Sequence, residues 1–119
     1  MDSKEQKEYF KDGTLSGTYH VDHEGKKHGA CEFFYKNGTL KAKGQFKSDE
    51  FAGEWYWNRE NGQPLQQGVF VEGKQHGPWR RYHDNGQLMD EGEWNMGKRT
   101  GEWKFYNKDG LLRKLQVFK

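Results

Sequence analysis

The chain contains five histidines, one cysteine and 18 acidic residues, the side chains from which metal sites and nucleophilic centres are built. Their spacing favours neither. His28 and His76 hold equivalent places, each just before a glycine, 48 residues apart. If two 24-residue repeats separate them, at about 4.8 Å per strand they lie roughly 19 Å apart, too far to share an ion. His20 and His23 are close, but no cysteine or carboxylate accompanies them at zinc spacing. Cys31 beside a histidine would make a nucleophilic pair. It occupies a position that later holds Trp55, however, so a small buried hydrophobe is the plain reading. The sequence has no Gly-x-Ser-x-Gly elbow, P-loop or His-Glu-x-x-His run. Its acids are scattered over turns and solvent-facing positions. We therefore expect no enzymatic activity, no metal and no cofactor.

The residues that recur with strict spacing are glycines and rings, and they define the elements. Asp12-Gly13, Asn37-Gly38, Asn61-Gly62, Asn85-Gly86 and Asp109-Gly110 follow one another at glycine spacings of 25, 24, 24 and 24. Gly29, Gly53, Gly77 and Gly101 step by 24, as do Gly44, Gly68 and Gly92. Phe46, Phe70, Trp94 and Phe118 keep the same interval, and so do Trp55, Trp79 and Trp103. A fixed period of this length marks a repeat architecture. Asn-Gly and Asp-Gly are the strongest hairpin signals and predict type I′ turns. The flanking runs, such as Trp103-Lys104-Phe105-Tyr106, are aromatic-rich strands. Gly44, between Leu40 and Phe46 on one strand face, leaves a slot across which a neighbouring ring can lie. Polar segments such as Glu72-Gly73-Lys74-Gln75-His76-Gly77 predict a wider turn at the other strand ends. Glycines interrupt every window long enough for a stable helix.

The prediction is an all-β antiparallel meander of about five hairpins and about ten strands, forming one open, twisted sheet. It would extend on the order of 45 Å. Residues 1–8 read as a charged tail. Residues 9–119 read as one repeat domain, divided at approximately 9–29, 30–53, 54–77, 78–101 and 102–119. Composition agrees. Apolar residues make up 31%, there is no isoleucine, and Trp, Tyr and Phe number 5, 6 and 8, so the core must be made of rings. A net charge of +2 argues against nucleic acid as the main partner. No apolar run approaches the roughly 18 residues of a membrane span. The opening residues lack the apolar stretch of a signal peptide, so a cytoplasmic location is the expectation. A leader already removed from a longer precursor would leave no trace.

The run Gly77-Pro78-Trp79-Arg80-Arg81-Tyr82-His83-Asp84-Asn85-Gly86-Gln87-Leu88, then Gly92-Glu93-Trp94, then Gly97-Lys98-Arg99-Thr100-Gly101, resembles the MORN repeat in its bacterial variant. The resemblance spans residues 9 to 119. It implies a non-catalytic module that binds proteins or phospholipids. Some bacterial relatives are labelled antitoxins or immunity proteins, which would make the partner a cognate toxin. Departures from the pattern occur in the end repeats, where Gly17 comes early and Gln116 replaces a glycine, as capping repeats allow, and also in the middle: Phe51 stands where its counterparts are polar, and Asn58 replaces the repeat tyrosine.

Trp55, Trp79, Tyr82, Trp94, Trp103 and Tyr106 are expected to form a structural ladder. Phe51, Tyr56, Trp57, Arg80 and Arg81 are the candidate partner-binding residues, since aromatic side chains and arginine anchor interfaces. Phe51 also has a plainer reading, a turn ring folded back on the sheet. Trp79 and Tyr82, three residues apart, require either opposite faces or a bulge. A homodimer through edge strands, the one at 113–119 in particular, is a further expectation. Lipid is a weaker alternative, because Lys98, Arg99, Lys104, Lys108, Arg113, Lys114 and Lys119 are not tightly clustered.

Overall fold

In the computed structural model, which describes residues 3–119, the chain is one eleven-stranded antiparallel sheet. The strands are β1 Lys4–Tyr9, β2 Leu15–Val21, β3 Gly29–Phe34, β4 Leu40–Lys47, β5 Glu50–Asn58, β6 Pro64–Val71, β7 Lys74–Gln75, β8 Gly77–Tyr82, β9 Leu88–Asn95, β10 Lys98–Tyr106 and β11 Leu112–Phe118. Their spatial order is their sequence order, except that the two-residue β7 lies off the path and pairs with β6. The extents are 46 × 32 × 17 Å. The long axis matches the strand-spacing estimate. The stretch read as a charged tail supplies most of β1, whose Lys4 to Glu8 pair with Val21 to Gly17. Met1 and Asp2 lie outside the described residues.

The turns correct the sequence reading. At Asn37-Gly38 only the glycine has positive φ, 88°. Gly38 N–H donates to the Tyr35 carbonyl and Tyr35 N–H to the Thr39 carbonyl, both at 2.9 Å. That pattern is a type I turn closed by a glycine bulge, not type I′. All five Asn/Asp-Gly sites repeat it. The reason is local. Each Asn or Asp stays at negative φ and accepts, through Oδ1, the N–H two residues on, at 2.9–3.1 Å. The two-residue type I′ turns lie instead at the ends read as wide. Ser48 and Asp49 have φ of 48° and 70°, Glu72 and Gly73 51° and 77°, Met96 and Gly97 46° and 89°.

The bulges settle how Trp79 and Tyr82 are placed. Trp79 pairs with Gly92 and Arg81 with Asp90, but Tyr82 pairs with Leu88, so the register slips between Arg81 and Tyr82. A second irregularity follows each type I′ turn. In β10 the pairing jumps from Thr100–Glu93 to Lys104–Glu91, four residues against two, around Gly101 at φ 69°. This pivot carries Trp103 over Gly92. A Cβ on Gly44, Gly68 or Gly92 would overlap the indole of Trp55, Trp79 or Trp103, and one on Gly17 would come within 2.6 Å of Phe33 Cδ1.

Each indole is thus pressed flat on bare backbone, and its Nε1–H is satisfied by the Gln45, Val69 or Glu93 carbonyl at 2.9, 3.0 or 3.1 Å. A ring from the Phe46, Phe70, Trp94 row meets it edge-on, with centroids 5.3, 5.2 and 5.8 Å away. The buried apolar set is small: Cys31, Ala42, Phe46, Trp55, Trp79 and Trp103. Neighbouring repeats are also joined at the tight-turn tips. Tyr35 Oη donates to the Asn58 carbonyl, Arg59 Nη2 to the Tyr82 carbonyl and His83 Nε2 to the Tyr106 carbonyl, at 2.8, 2.9 and 2.8 Å. Three different side chains make one bond, because the bulge leaves that carbonyl turned toward the preceding repeat.

Candidate interaction faces

Alternation along the strands gives the sheet two unlike faces. One carries Phe33, Phe46, Phe51, Trp55, Trp57, Phe70 and Trp79, linked by ring contacts from 4.5 to 6.5 Å, and separately Trp94 against Trp103 at 5.8 Å. The other carries polar side chains. The five candidate partner-binding residues divide between them, because Tyr56–Trp57 and Arg80–Arg81 are neighbours in sequence and neighbours on a strand point opposite ways.

Phe51 and Trp57 stand on the ring-bearing face. Phe51 belongs to β5 and not to the turn, opposite Phe46. Its ring is packed 4.5 Å from Trp55 and 4.9 Å from Phe70, yet the residue is 38% exposed. Trp57 is half-buried, stacked 5.5 Å from Trp55 and tilted 6.0 Å from Trp79. Around Phe33, Phe46, Phe51 and Trp57 lies a hollow of about 590 Å³ that Lys27 and Lys41 also line.

Tyr56 and Arg80 stand on the opposite face. Tyr56 is 42% exposed and donates to Glu54 Oε2 at 2.9 Å. That bond to a carboxylate holds its phenol above the ordinary tyrosine range. Arg80 pairs with Glu91 at 3.3 Å. A hollow of about 670 Å³ on this side is lined by Glu5, His20, Glu32, Lys43, Glu54 and Tyr56, among others.

Arg81 lies with the rings, but it is engaged. Its Nε donates to both oxygens of Asp90, at 3.2 and 3.1 Å, and Nη2 to Oδ2. Asp90 is 1% exposed, the one buried charged residue among the described residues. The repeat explains both positions. Arg81 stands in the row of Phe33, Trp57 and Phe105, and Asp90 in the row of Ala42, Gln66 and Lys114. Sequence reasoning missed Asp90. The signal was there, since two adjacent rows turn ionic in the same repeat.

Of the ladder residues, Trp55, Trp79 and Trp103 are buried and Trp94 is half-buried beside Trp103. Tyr82 and Tyr106 sit apart, past the bulges near the tight turns. Tyr106 Oη donates to Glu91 Oε2 at 3.1 Å, and burial together with that bond raises its pKa.

The nucleophile and ligand candidates serve the fold. Cys31 is 2% exposed, and burial pushes its thiol up to about 11. His76 Nδ1 accepts the Met96 N–H at 3.2 Å, and His20 Nδ1 donates to the Ala30 carbonyl at 3.2 Å. Among the described residues no three His, Cys, Asp or Glu side chains converge as a metal site. No helix among them is long and apolar enough to cross a membrane. We expect the Cys31 thiol to resist iodoacetamide at pH 8 until the protein is unfolded. Because its folded pKa is raised from 9.0, the neutral thiol's contribution is complete below pH 9 and is lost as pH rises through about 11. A stability profile by urea melts from pH 7 to 11, compared with Cys31→Ala, checks this.

An open meander of one sheet, with rings on one face, is a repeat-built architecture. The MORN repeat variant model matches residues 27–48 and 75–96, segments two repeats apart that hold β3–β4 and β8–β9. These two matches support the MORN-repeat family, whose repeats are non-enzymatic modules that engage proteins and membranes. No curated protein matches the chain.

Proposed function

We propose that the chain is a protein–protein interaction module. The observation that supports this most is the open ring-bearing face: the described residues form one sheet, with no second layer among them to cover Phe51 and Trp57. Large rings exposed beside fixed cations are what interface anchors look like. The most concrete version of the role is an antitoxin or immunity protein in the cytoplasm, bound 1:1 to a cognate toxin. That version draws on the resemblance to bacterial variant repeats. Two other readings have their own support. Lysines near rings suit an anionic phospholipid surface. The outer edges of β1 and β11 suit pairing with a second copy, with Arg113 and Lys114 restraining it.

Affinity capture from the source cell, with the stoichiometry of any complex read by light scattering, tests the leading reading. We expect one protein at 1:1. Recovery of none, with salt-sensitive binding to phosphatidylserine vesicles, would replace it with the lipid reading. A concentration-dependent dimer and no partner would replace it with self-assembly.

A further inference from the structure

We infer that the ring-bearing face takes an extended acidic segment of a partner protein, anchored by one large apolar side chain in the hollow at Phe33, Phe46, Phe51 and Trp57. This rests on the reading of the chain as a protein-binding module and names the chemistry of what it binds.

The unequal placement of charge carries the inference. On the ring-bearing face the cations are held against rings. Lys27 Nζ is 5.2 Å from the Tyr19 centroid and 5.3 Å from that of Phe46, and Lys41 is 5.6 Å from Tyr35. Arg99 lies 4.8 Å from Trp103 and 5.7 Å from Trp94, and Lys114 is 5.6 Å from Phe105. Four cations, Lys27, Lys41, Arg81 and Arg99, line the two hollows of this face against two acids, Asp49 and Asp90. Asp90 holds Arg81, and Asp49 accepts the Lys27 backbone N–H at 2.7 Å. The opposite face pairs Arg80 with Glu91 and lines its hollow with Glu5, Glu32 and Glu54 against Lys43. The apolar face is therefore also the one whose hollows carry net positive charge. A cation resting on a ring keeps its charge and has already lost much of its rotamer freedom, so an anion meets it at little ordering cost.

The spacing of these groups predicts the spacing in the partner. Lys27 and Lys41 line the hollow itself, so one acidic residue belongs beside the apolar anchor. Phe51 and Arg99 occupy the same repeat row, from β5 to β10 across four strand steps. At about 4.8 Å per step that is roughly 19 Å, or about six residues of extended chain at ~3.3 Å each. A second acidic residue belongs there.

The test uses the full chain and two synthetic peptides in a Ser/Gly background. One carries Phe, Glu at the next position and Glu six positions beyond the Phe; the other replaces both Glu by Lys. Binding is read by tryptophan fluorescence. We expect the Glu peptide to bind about tenfold more tightly than the Lys peptide and to weaken as salt is raised. Arg99→Gln should weaken it about fivefold, Arg99→Lys should restore most of the loss, and Arg80→Gln should leave it unchanged. Equal affinity for both peptides, or a loss on Arg80→Gln and not on Arg99→Gln, overturns the inference. So does binding of phosphatidylserine vesicles with none of the Glu peptide. A captured protein partner that ignores Arg99→Gln overturns it while leaving the module reading intact, so the two fail separately.

Discussion

Gly68→Val is expected to destabilise the protein by about 3–5 kcal/mol, as much as removing the ring it displaces. The slot at Gly68 is filled by the Trp79 indole, and a Cβ there would overlap the ring. The side chain has no other place to go. It is 4% exposed, its Nε1–H is committed to the Val69 carbonyl, and Phe70 meets it edge-on at 5.2 Å. Displacing it exposes the largest apolar surface in that repeat and strands a donor. With typical domain stabilities of about 5–15 kcal/mol, this is a large part of the reserve. Urea melts followed by near-ultraviolet circular dichroism measure it. A double-mutant cycle makes the cause specific: Gly68→Ala should be costly with Trp79 present and nearly free in Trp79→Ala, giving a coupling of about 1–3 kcal/mol. Additive effects would mean that the ring does not rest on the glycine.

Arg81→Met is the second large effect, at about 3 kcal/mol, through a different mechanism. It leaves the Asp90 carboxylate buried among rings with its partner gone. The figure sits at the low end of the usual range because the Arg81 side chain is 48% exposed and water reaches it. The pair as a whole need not stabilise. The double change Arg81→Trp/Asp90→Ala, which copies Trp57 and Ala42 of the preceding repeats, is expected to recover wild-type stability or to exceed it by about 1–4 kcal/mol. Recovery would show that the ion pair marks this repeat for something other than folding. A double variant less stable than Arg81→Met would show that the pair is needed by the sheet.

The period in the sequence carries the meander, its strand count and the glycine slots, because each demands a residue type that chemistry makes hard to replace. Gly44, Gly68 and Gly92 recur because only glycine leaves room for an indole. Turn type was less legible. Asn-Gly suits both type I′ and a type I turn with a glycine bulge, and what decides is the Asn side chain bonding two residues ahead. The three-residue spacing of Trp79 and Tyr82 leaves opposite faces and a bulge both open, and the register slip between Arg81 and Tyr82 decides for the bulge. The turn before Phe51 is hard to read because Ser48-Asp49 makes it with no glycine at either positive-φ position. The division of Tyr56 from Trp57 and of Arg80 from Arg81 follows from strand alternation alone and was available from the start. What no single residue announces is the ionic patch, since Asp90 has meaning only beside Ala42 in the same row.

The claim that one face of the sheet takes the partner is tested most directly by affinity capture with paired variants. Phe51→Ala/Trp57→Ala alters the ring-bearing face and Tyr56→Ala/Arg80→Ala the other, with folding of each checked by circular dichroism. The account predicts a stoichiometric protein partner that is lost with the first pair and kept with the second. Retention with the first and loss with the second would contradict it.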